Sequence, residues 1–332
     1  MKKIRWGLLS TANINRALIP AIRNSSRGKL AAVASRDIKK AQKYARKWDI
    51  PIAFGDYQEM LDSGEVDVVY NSLPNHLHAE WSIRAMQAGV HVLCEKPFAA
   101  SIDETDQMIA ASKQYNRVLA EAFMYRHHPQ TKIVGEWIKS GKLGEIILVR
   151  SIFNFNLKSK EDIRLIPEYG GGALWDIGVY PLSFAQYVYG EKPNMVLGMQ
   201  TLGKSGVDES FSGQMRYSGN RIAQISCSFR SPYYTHAEVI GTKGRLDLNS
   251  PFKIESGFAK LVFHSKDGDK IKISVPQKEL YSGEVEDMHD AILDGTQPYL
   301  SLEETRNHIE TALAMYQSAR DKVMISLEEE KS

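Results

Sequence analysis

The stretch Ile4–Asn15, IRWGLLSTANIN, sets a short apolar run ahead of a turn made of Ser10, Thr11, Ala12, Asn13 and Ile14. A turn between a buried strand and a helix can hold a pyrophosphate. Small residues let backbone N–H groups approach it, and the helix N-terminus favours anions. Ser10, Ala12 and Asn15 stand where a dinucleotide-binding turn usually carries three glycines. Ala12 adds little bulk, and the Ser10 hydroxyl can donate to a phosphate oxygen. Thr11, Asn13 and Ile14 offer backbone N–H groups. Asn15 fits least well and predicts a wider gap between helix and strand. Taken alone, the same residues also suit a plain strand–turn–helix with Ser and Asn as caps.

The next informative stretch is AVASRDIKKAQ, from Ala32 to Gln42. An NAD site places Asp or Glu about 20 residues beyond the turn, to accept from the ribose 2′-hydroxyl. Here Ala34 and Ser35 replace the acid, Arg36 follows, and Lys39 and Lys40 come one turn later. A guanidinium can clasp a 2′-phosphate through paired hydrogen bonds. Basic residues at a helix start oppose its dipole, so a bound anion would offset that conflict. The pattern favours NADP over NAD. The alternative is a solvated first turn of helix.

These residues need elements to position them. Apolar runs at Ile4–Leu9, Leu30–Ala34, Val66–Tyr70, Val90–Cys94 and Val118–Glu121 read as strands. Helical patterns fall between them at Ile14–Arg23, Lys39–Lys47, His78–Gln87 and Ile102–Tyr115. That alternation predicts a Rossmann domain, a doubly wound parallel sheet with helices on both faces, over residues 1–123. Beyond Phe123 the rhythm changes. Ile133–Lys139 and Trp175–Tyr187 look helical, whereas Glu145–Asn156 and much of Met195–Val275 are β-rich with polar turns. Residues 124–332 therefore read as an α+β domain with an open-faced, mostly antiparallel sheet. Two helices close the chain. VEDMHDAILDG is ended by Gly295, and the other starts at a Ser301/Glu304 capping box and carries a stripe of Ile309, Ala312, Leu313, Tyr316 and Val323.

Bulk properties exclude several classes. A chain of 332 residues exceeds the usual size of a single core, and 43% hydrophobic with 25% charged residues is ordinary for a soluble globular protein. A net charge of +2 gives no pointer to nucleic acid or anionic membrane. No apolar run is long enough to span a bilayer, and MKKIRWGLLS is too short and too quickly polar for a signal peptide. Cys94 and Cys227 alone make no disulfide framework and fit a reduced cytoplasm. GMQTLGKS, Gly198–Ser205, matches a phosphate-loop pattern, but a glycine-broken, strand-like segment follows where a helix is needed, so it reads as a hairpin turn. His76/His78 and His127/His128 lack the spacing of helical zinc pairs, so no metal site is expected. No tyrosine precedes a lysine by four positions, which counts against a short-chain dehydrogenase pattern.

Three further stretches carry a resemblance: SLPNHLHAEW (Ser72–Trp81), GVHVLCEKPFA (Gly89–Ala99) and GGGALWDIGVYPL (Gly170–Leu182). Together they resemble the Gfo/Idh/MocA oxidoreductase family. EAFMYRHHPQ (Glu121–Gln130) is similar to its dihydrodiol dehydrogenase, NADP-xylose dehydrogenase and glucose–fructose oxidoreductase branch. The Ser35–Arg36 pair is similar to that of NADP-using members. The resemblance implies that Lys96 lies beside the nicotinamide and the reacting carbon, with Glu95 in the same motif. It implies that Asp176 is the family's active-site aspartate. Tyr180 stands where most members have His, and the branch resembles this sequence in having Tyr. Ser72, Leu73, Asn75 and His78 match the loop under the nicotinamide ribose. Arg126, Arg164 and Tyr281 fall where branch members meet cofactor or substrate.

Physical chemistry agrees. Lys96 follows a buried strand at its C-terminal end, where doubly wound sheets bind ligands. Asp176 and Tyr180, four apart, share one face of a helix. Hydride transfer at a secondary alcohol needs a group to take or give the hydroxyl proton, and either Tyr180 or Lys96 can do so. The expectation is an NADP(H)-dependent oxidoreductase acting on a sugar, polyol or diol, with NAD as the lesser cofactor. A homodimer or homotetramer would form through the C-terminal sheet. Two alternatives stand: a redox-assisted NAD-dependent glycosidase of the same family, and a non-catalytic NADP-binding regulator.

Overall fold

A computed structural model describes residues 3–254 and 260–328. Five positions of the β-rich stretch Met195–Val275, residues 255–259, lie outside the described residues. The chain divides into two units, Met1–His127 with Glu279–Arg306, and His128–Lys278 with Asn307–Ser332.

In the first unit β1 (Ile4–Leu9), α1 (Asn15–Asn24), β2 (Gly28–Ala34), α2 (Ile38–Trp48), β3 (Ile52–Phe54) and α3 (Tyr57–Asp62) follow one another. Then come β4 (Val68–Asn71), α4 (His78–Gln87), β5 (His91–Glu95), α5 (Ile102–Tyr115) and β6 (Leu119–Ala122). The strands form one sheet in the order β3-β2-β1-β4-β5-β6, every pair parallel. This is the expected doubly wound sheet. Its central strands are apolar over most of their length because helices cover both faces: Leu8, Val68, Val69 and Val92 are fully buried.

The sequence reading passed over β3 and α3. Three partly buried residues give no alternation, and six helical residues give less than two turns of stripe. α8 (Ser282–Leu293) returns to this unit. Its Val285 and Met288 enter the core of Trp6, Leu18, Ile22, Leu30 and Tyr70. Each such burial stabilises by about 1.5–3 kcal/mol. The grouping therefore departs from a single cut after residue 123.

The second unit contains α6 (Pro129–Lys139), β7 (Ile146–Asn156), a π-helical turn at Leu174–Gly178 and α7 (Val179–Tyr189). There follow β8 (Met195–Leu202), β9 (Asp208–Arg216), β10 (Ile222–Ser228), β11 (Arg230–Gly241), β12 (Gly244–Asn249), β13 (Lys260–Ser265) and β14 (Lys270–Ile273). α9 (Leu302–Asp321) and β15 (Ile325–Ser326) complete the described chain. The sheet order is β14-β13-β12-β11-β7-β10-β9-β8-β15, with β7 and β10 the parallel pair. It is the mostly antiparallel sheet that the sequence predicts. GMQTLGKS is the end of β8 and the turn into β9, closed by a 2.8 Å bond from the Gly203 N–H to the Val207 carbonyl. α9 begins at the expected capping box, with the Glu304 N–H 3.1 Å from Ser301 Oγ. Its buried stripe includes Ile309 and Ala312, but Val323 lies past the helix end and is exposed.

Candidate active site

In the first unit, β1, β4 and β5 lie side by side, with Leu9 opposite Asn71 and Asn71 opposite Cys94. Ser10, Ser72 and Lys96 follow these three strands and so gather at one carboxyl edge, where the strand order reverses.

Ser10 adopts φ 131°, a conformation that favours glycine and costs a serine about 1–3 kcal/mol. Its hydroxyl accepts from the Ala12 N–H at 3.1 Å and lies 2.9 Å from Ser72 Oγ. Asn15 is fully buried. Its amide donates to the Ser10 carbonyl at 2.9 Å, and its oxygen accepts from Ser72 Oγ at 2.6 Å. The polar side chain thus ties the turn to the segment that follows the neighbouring strand. Thr11 and Ala12 are partly exposed and Asn13 and Ile14 exposed. The N–H groups of Thr11, Asn13 and Ile14 donate to no described group, as an anion cradle requires.

Arg36 is exposed beside Ser35, whose N–H donates to the Phe54 carbonyl at 3.1 Å. The conflict at the start of α2 is met partly within the chain. Asp37 caps the helix, accepting from Lys39 N at 2.9 Å and Lys40 N at 3.3 Å. The sequence reading missed this cap, although Asp is among the preferred residues there.

Buried side chains the sequence did not single out fix the Lys96 turn. Tyr70 donates its hydroxyl to Glu95 Oε1, while Glu95 Oε2 accepts the Lys96 N–H at 3.1 Å. Glu121 accepts the Phe98 N–H at 3.2 Å, and burial pushes its carboxyl up to about 8. His78 is itself fully buried. Its ring nitrogens lie 2.8 Å from the Leu73 and Pro97 carbonyls, joining the Ser72–Leu73 loop to the cis Lys96–Pro97 peptide. Burial lowers its pKa to about 4, so the neutral ring donates to one carbonyl at a time.

Asn75 opens the short helical turn before α4, partly exposed. Tyr281 precedes α8, where burial and then Glu95 and Glu284 raise its pKa. Glu284 is fully buried, and its carboxyl is pushed up by that burial. Arg126 lies in the interior, paired with Glu304 at 2.5 Å and 5.9 Å from the Tyr299 ring centroid.

In the second unit, Arg164 and Asp176 form an ion pair at 2.6 Å, and Arg164 also meets Asp162 at 3.1 Å. Asp176 lies in the π-helical turn and Tyr180 in the first turn of α7, so their spacing is not that of one continuous α-helix. Such π segments occur often at functional sites. Tyr180 is buried, its ring 5.4 Å from Phe153 and 5.7 Å from Phe252. The sequence-derived residues thus fall into two groups. Ser10–Ile14, Ser35, Arg36, Ser72, Leu73, Asn75, His78, Glu95, Lys96, Arg126 and Tyr281 lie on the first unit, while Arg164, Asp176 and Tyr180 lie on the second.

Fold and site define a dinucleotide-binding domain joined to a sheet domain that carries its own polar cluster. Comparison with known proteins makes the class definite. Residues 4–123 match the profile of the oxidoreductase family with an NAD-binding Rossmann fold, and residues 132–247 match the GFO/IDH/MocA C-terminal domain. The chain is 35% identical over 325 residues to D-xylose 1-dehydrogenase (NADP(+)) 2 of Haloferax volcanii, covering 97% of this chain and 99% of that one. It is 33% identical to trans-1,2-dihydrobenzene-1,2-diol dehydrogenase of Danio rerio over 74% of each. Among solved structures it is similar to a 3-ketoreductase from Actinomadura kijaniata in complex with NADP and TDP-benzene. That match has TM-score 0.90 and 28% identity, covering 96% of this chain and 98% of that one. The chain belongs to the Gfo/Idh/MocA family of oxidoreductases.

Proposed function

We propose that this protein is an NADP(H)-dependent oxidoreductase moving a hydride between its cofactor and a secondary alcohol or carbonyl of a sugar, polyol or vicinal diol. The observation that carries this reading is the gathering of Ser10, Ser72 and Lys96 at one sheet edge beside three backbone N–H groups with no partner among the described residues. NADP-dependence and sugar or diol substrates in the named relatives support it.

In this reading the N–H groups of Thr11, Asn13 and Ile14 hold the pyrophosphate, and Ser35 with Arg36 holds the 2′-phosphate. The nicotinamide, when bound, supplies or accepts the hydride. The Lys96 ammonium steadies the substrate oxygen as its charge develops. Tyr180 gives or takes the hydroxyl proton, a step that Lys96 can also perform, and such help is typically worth about 10²–10⁴-fold. Asp176, held by Arg164, orients the substrate hydroxyl. Asn75 would lie under the nicotinamide ribose, and Tyr281 would meet cofactor or substrate. His78 and Arg126, expected at the cofactor, are instead buried and bonded within the first unit and so would support the loops from within. The protein works in the cytoplasm as a homodimer or homotetramer assembled through the second unit's sheet.

Fluorescence titration with NADPH and NADH, followed by a spectrophotometric screen of aldoses, ketoses and vicinal diols, tests the reading. NADPH should bind at least about tenfold more tightly, a preference lost in Arg36→Ala. A preference for NADH would overturn the assignment of Arg36. Tight NADPH binding without turnover of any compound would overturn catalysis.

A further inference from the structure

The run Gly170–Gly171–Gly172 precedes the π-helical turn that bears Asp176, and its packing points to a residue outside every motif described above. Asp208 opens β9 and is 2% exposed. One carboxylate oxygen accepts the Leu174 N–H at 2.8 Å, and the other accepts the Tyr316 hydroxyl at 2.8 Å. A side chain on Gly172 would place its Cβ 2.2 Å from Asp208 Oδ1 and 2.8 Å from the Tyr316 oxygen, at a φ of 130°. A Cβ on Gly171 would meet the Arg164 carbonyl at 2.5 Å. The glycines therefore let the loop close onto Asp208 on one side and onto Arg164 on the other.

The same loop is bonded to the residues that hold Asp176. The Gly172 N–H donates to the Arg164 carbonyl at 2.9 Å, the Asp176 N–H donates to the Gly172 carbonyl at 3.0 Å, and the Arg164 guanidinium grips the Asp176 carboxylate. Trp175, between Leu174 and Asp176, lies 5.7 Å from the Tyr316 ring.

We propose that Asp208 is a positioning residue for catalysis. Bonded to the Leu174 amide and steadied by Tyr316, it fixes the π-helical turn so that Asp176 is presented in one orientation. The proposal rests on the role given above to Asp176 and adds the group on which that role depends. All the contacts it uses lie within the second unit. Burial pushes the Asp208 carboxyl up to about 6, while the bonds it accepts from the Leu174 amide and the Tyr316 hydroxyl favour the charged form.

Hydrogen exchange and kinetics together test it on the full chain. In Asp208→Ala, the Leu174 and Asp176 amides should exchange at least about tenfold faster, with β9 and β10 amides unchanged. Oxidation of D-xylose, or of the best substrate in the panel above, should lose about 10–100-fold in kcat, as expected for a misplaced reacting group. The NADPH dissociation constant should change less than about twofold. Asp208→Asn keeps one acceptor and should restore most of the lost kcat, to within about fivefold of wild type. In an Asp176→Asn background, Asp208→Ala should cost little more, because both act through one group.

Unchanged exchange at Leu174 and Asp176, or a kcat loss that multiplies with that of Asp176→Asn, would overturn the proposal. Should Asp208→Ala not fold, Tyr316→Phe, which removes the other bond to Asp208, carries the same test. It should speed exchange at these two amides and lower kcat, and neither effect appearing would overturn the proposal. Wild-type kcat in Asp176→Asn alone would instead remove the role of Asp176, leaving the exchange result to judge the anchor separately.

Discussion

Ser10 holds a backbone angle that a glycine would take without strain, and its hydroxyl joins Ala12 and Ser72 in one small network with Asn15. Removing that hydroxyl while keeping the strained backbone leaves a buried cluster short of a partner. Ser10→Ala should lower stability by about 1–2 kcal/mol, read as a shift in the denaturant midpoint at constant slope. Glu121 gives a pH signature. Its carboxyl ordinarily titrates near 4.5 and is held up to about 8 by burial. The folded state therefore binds a proton that the unfolded state releases. That contribution is complete below about 4.5 and is lost as pH rises through about 8. Glu121→Gln, which mimics the protonated form, should flatten this decline, and equal slopes in the two proteins would contradict it. Tyr180→Phe should lower kcat by about 10²–10⁴-fold with cofactor affinity intact, if its hydroxyl moves the proton.

At the scale of elements, Gly172→Ala should be among the most damaging single changes in the second unit. The new methyl meets a carboxylate oxygen and demands a backbone angle that L-residues rarely adopt. A fall in thermal midpoint of several degrees with loss of turnover is the expected result. Much of the framework was legible. Buried apolar runs marked the β1, β2, β4, β5 and β6 strands, and capping chemistry marked the start of α9. What was not legible has physical reasons. β3 and α3 are too short for periodicity to register. A π-helical turn has no apolar pattern of its own, so Asp176 and Tyr180 read as one α-helix. Motif logic singled out Lys96, Asp176 and Tyr180 but passed over the buried side chains Tyr70, Glu121 and Asp208. Those side chains act through bonds to groups far away in the chain, for which local sequence carries no signal. Tyr70 bonds to the Glu95 carboxylate, Glu121 to the Phe98 amide, and Asp208 to the Leu174 amide and the Tyr316 hydroxyl.

Across the whole molecule, the return of Glu279–Arg306 to the first unit shows how chain order misleads about grouping, since α8 packs beneath strands some 250 residues earlier. On the second unit, one face of the nine-stranded sheet carries Leu148, Ile152, Met199, Ile222 and Ile240 beside the paired charges Arg150, Glu238 and Arg245. Met199 is 72% exposed and Ile222 40%. A symmetric interface would cover such a face. Met199→Glu with Ile222→Glu should shift the protein toward monomer in sedimentation analysis, and an unchanged mass would remove this face from the assembly. The chemistry itself is tested most directly by Lys96→Met, which keeps length and apolar stem while deleting the charge. With NADPH binding verified by fluorescence, turnover of the best substrate should fall by at least about a hundredfold. Wild-type turnover in that variant would contradict the assignment of Lys96 to the reacting oxygen.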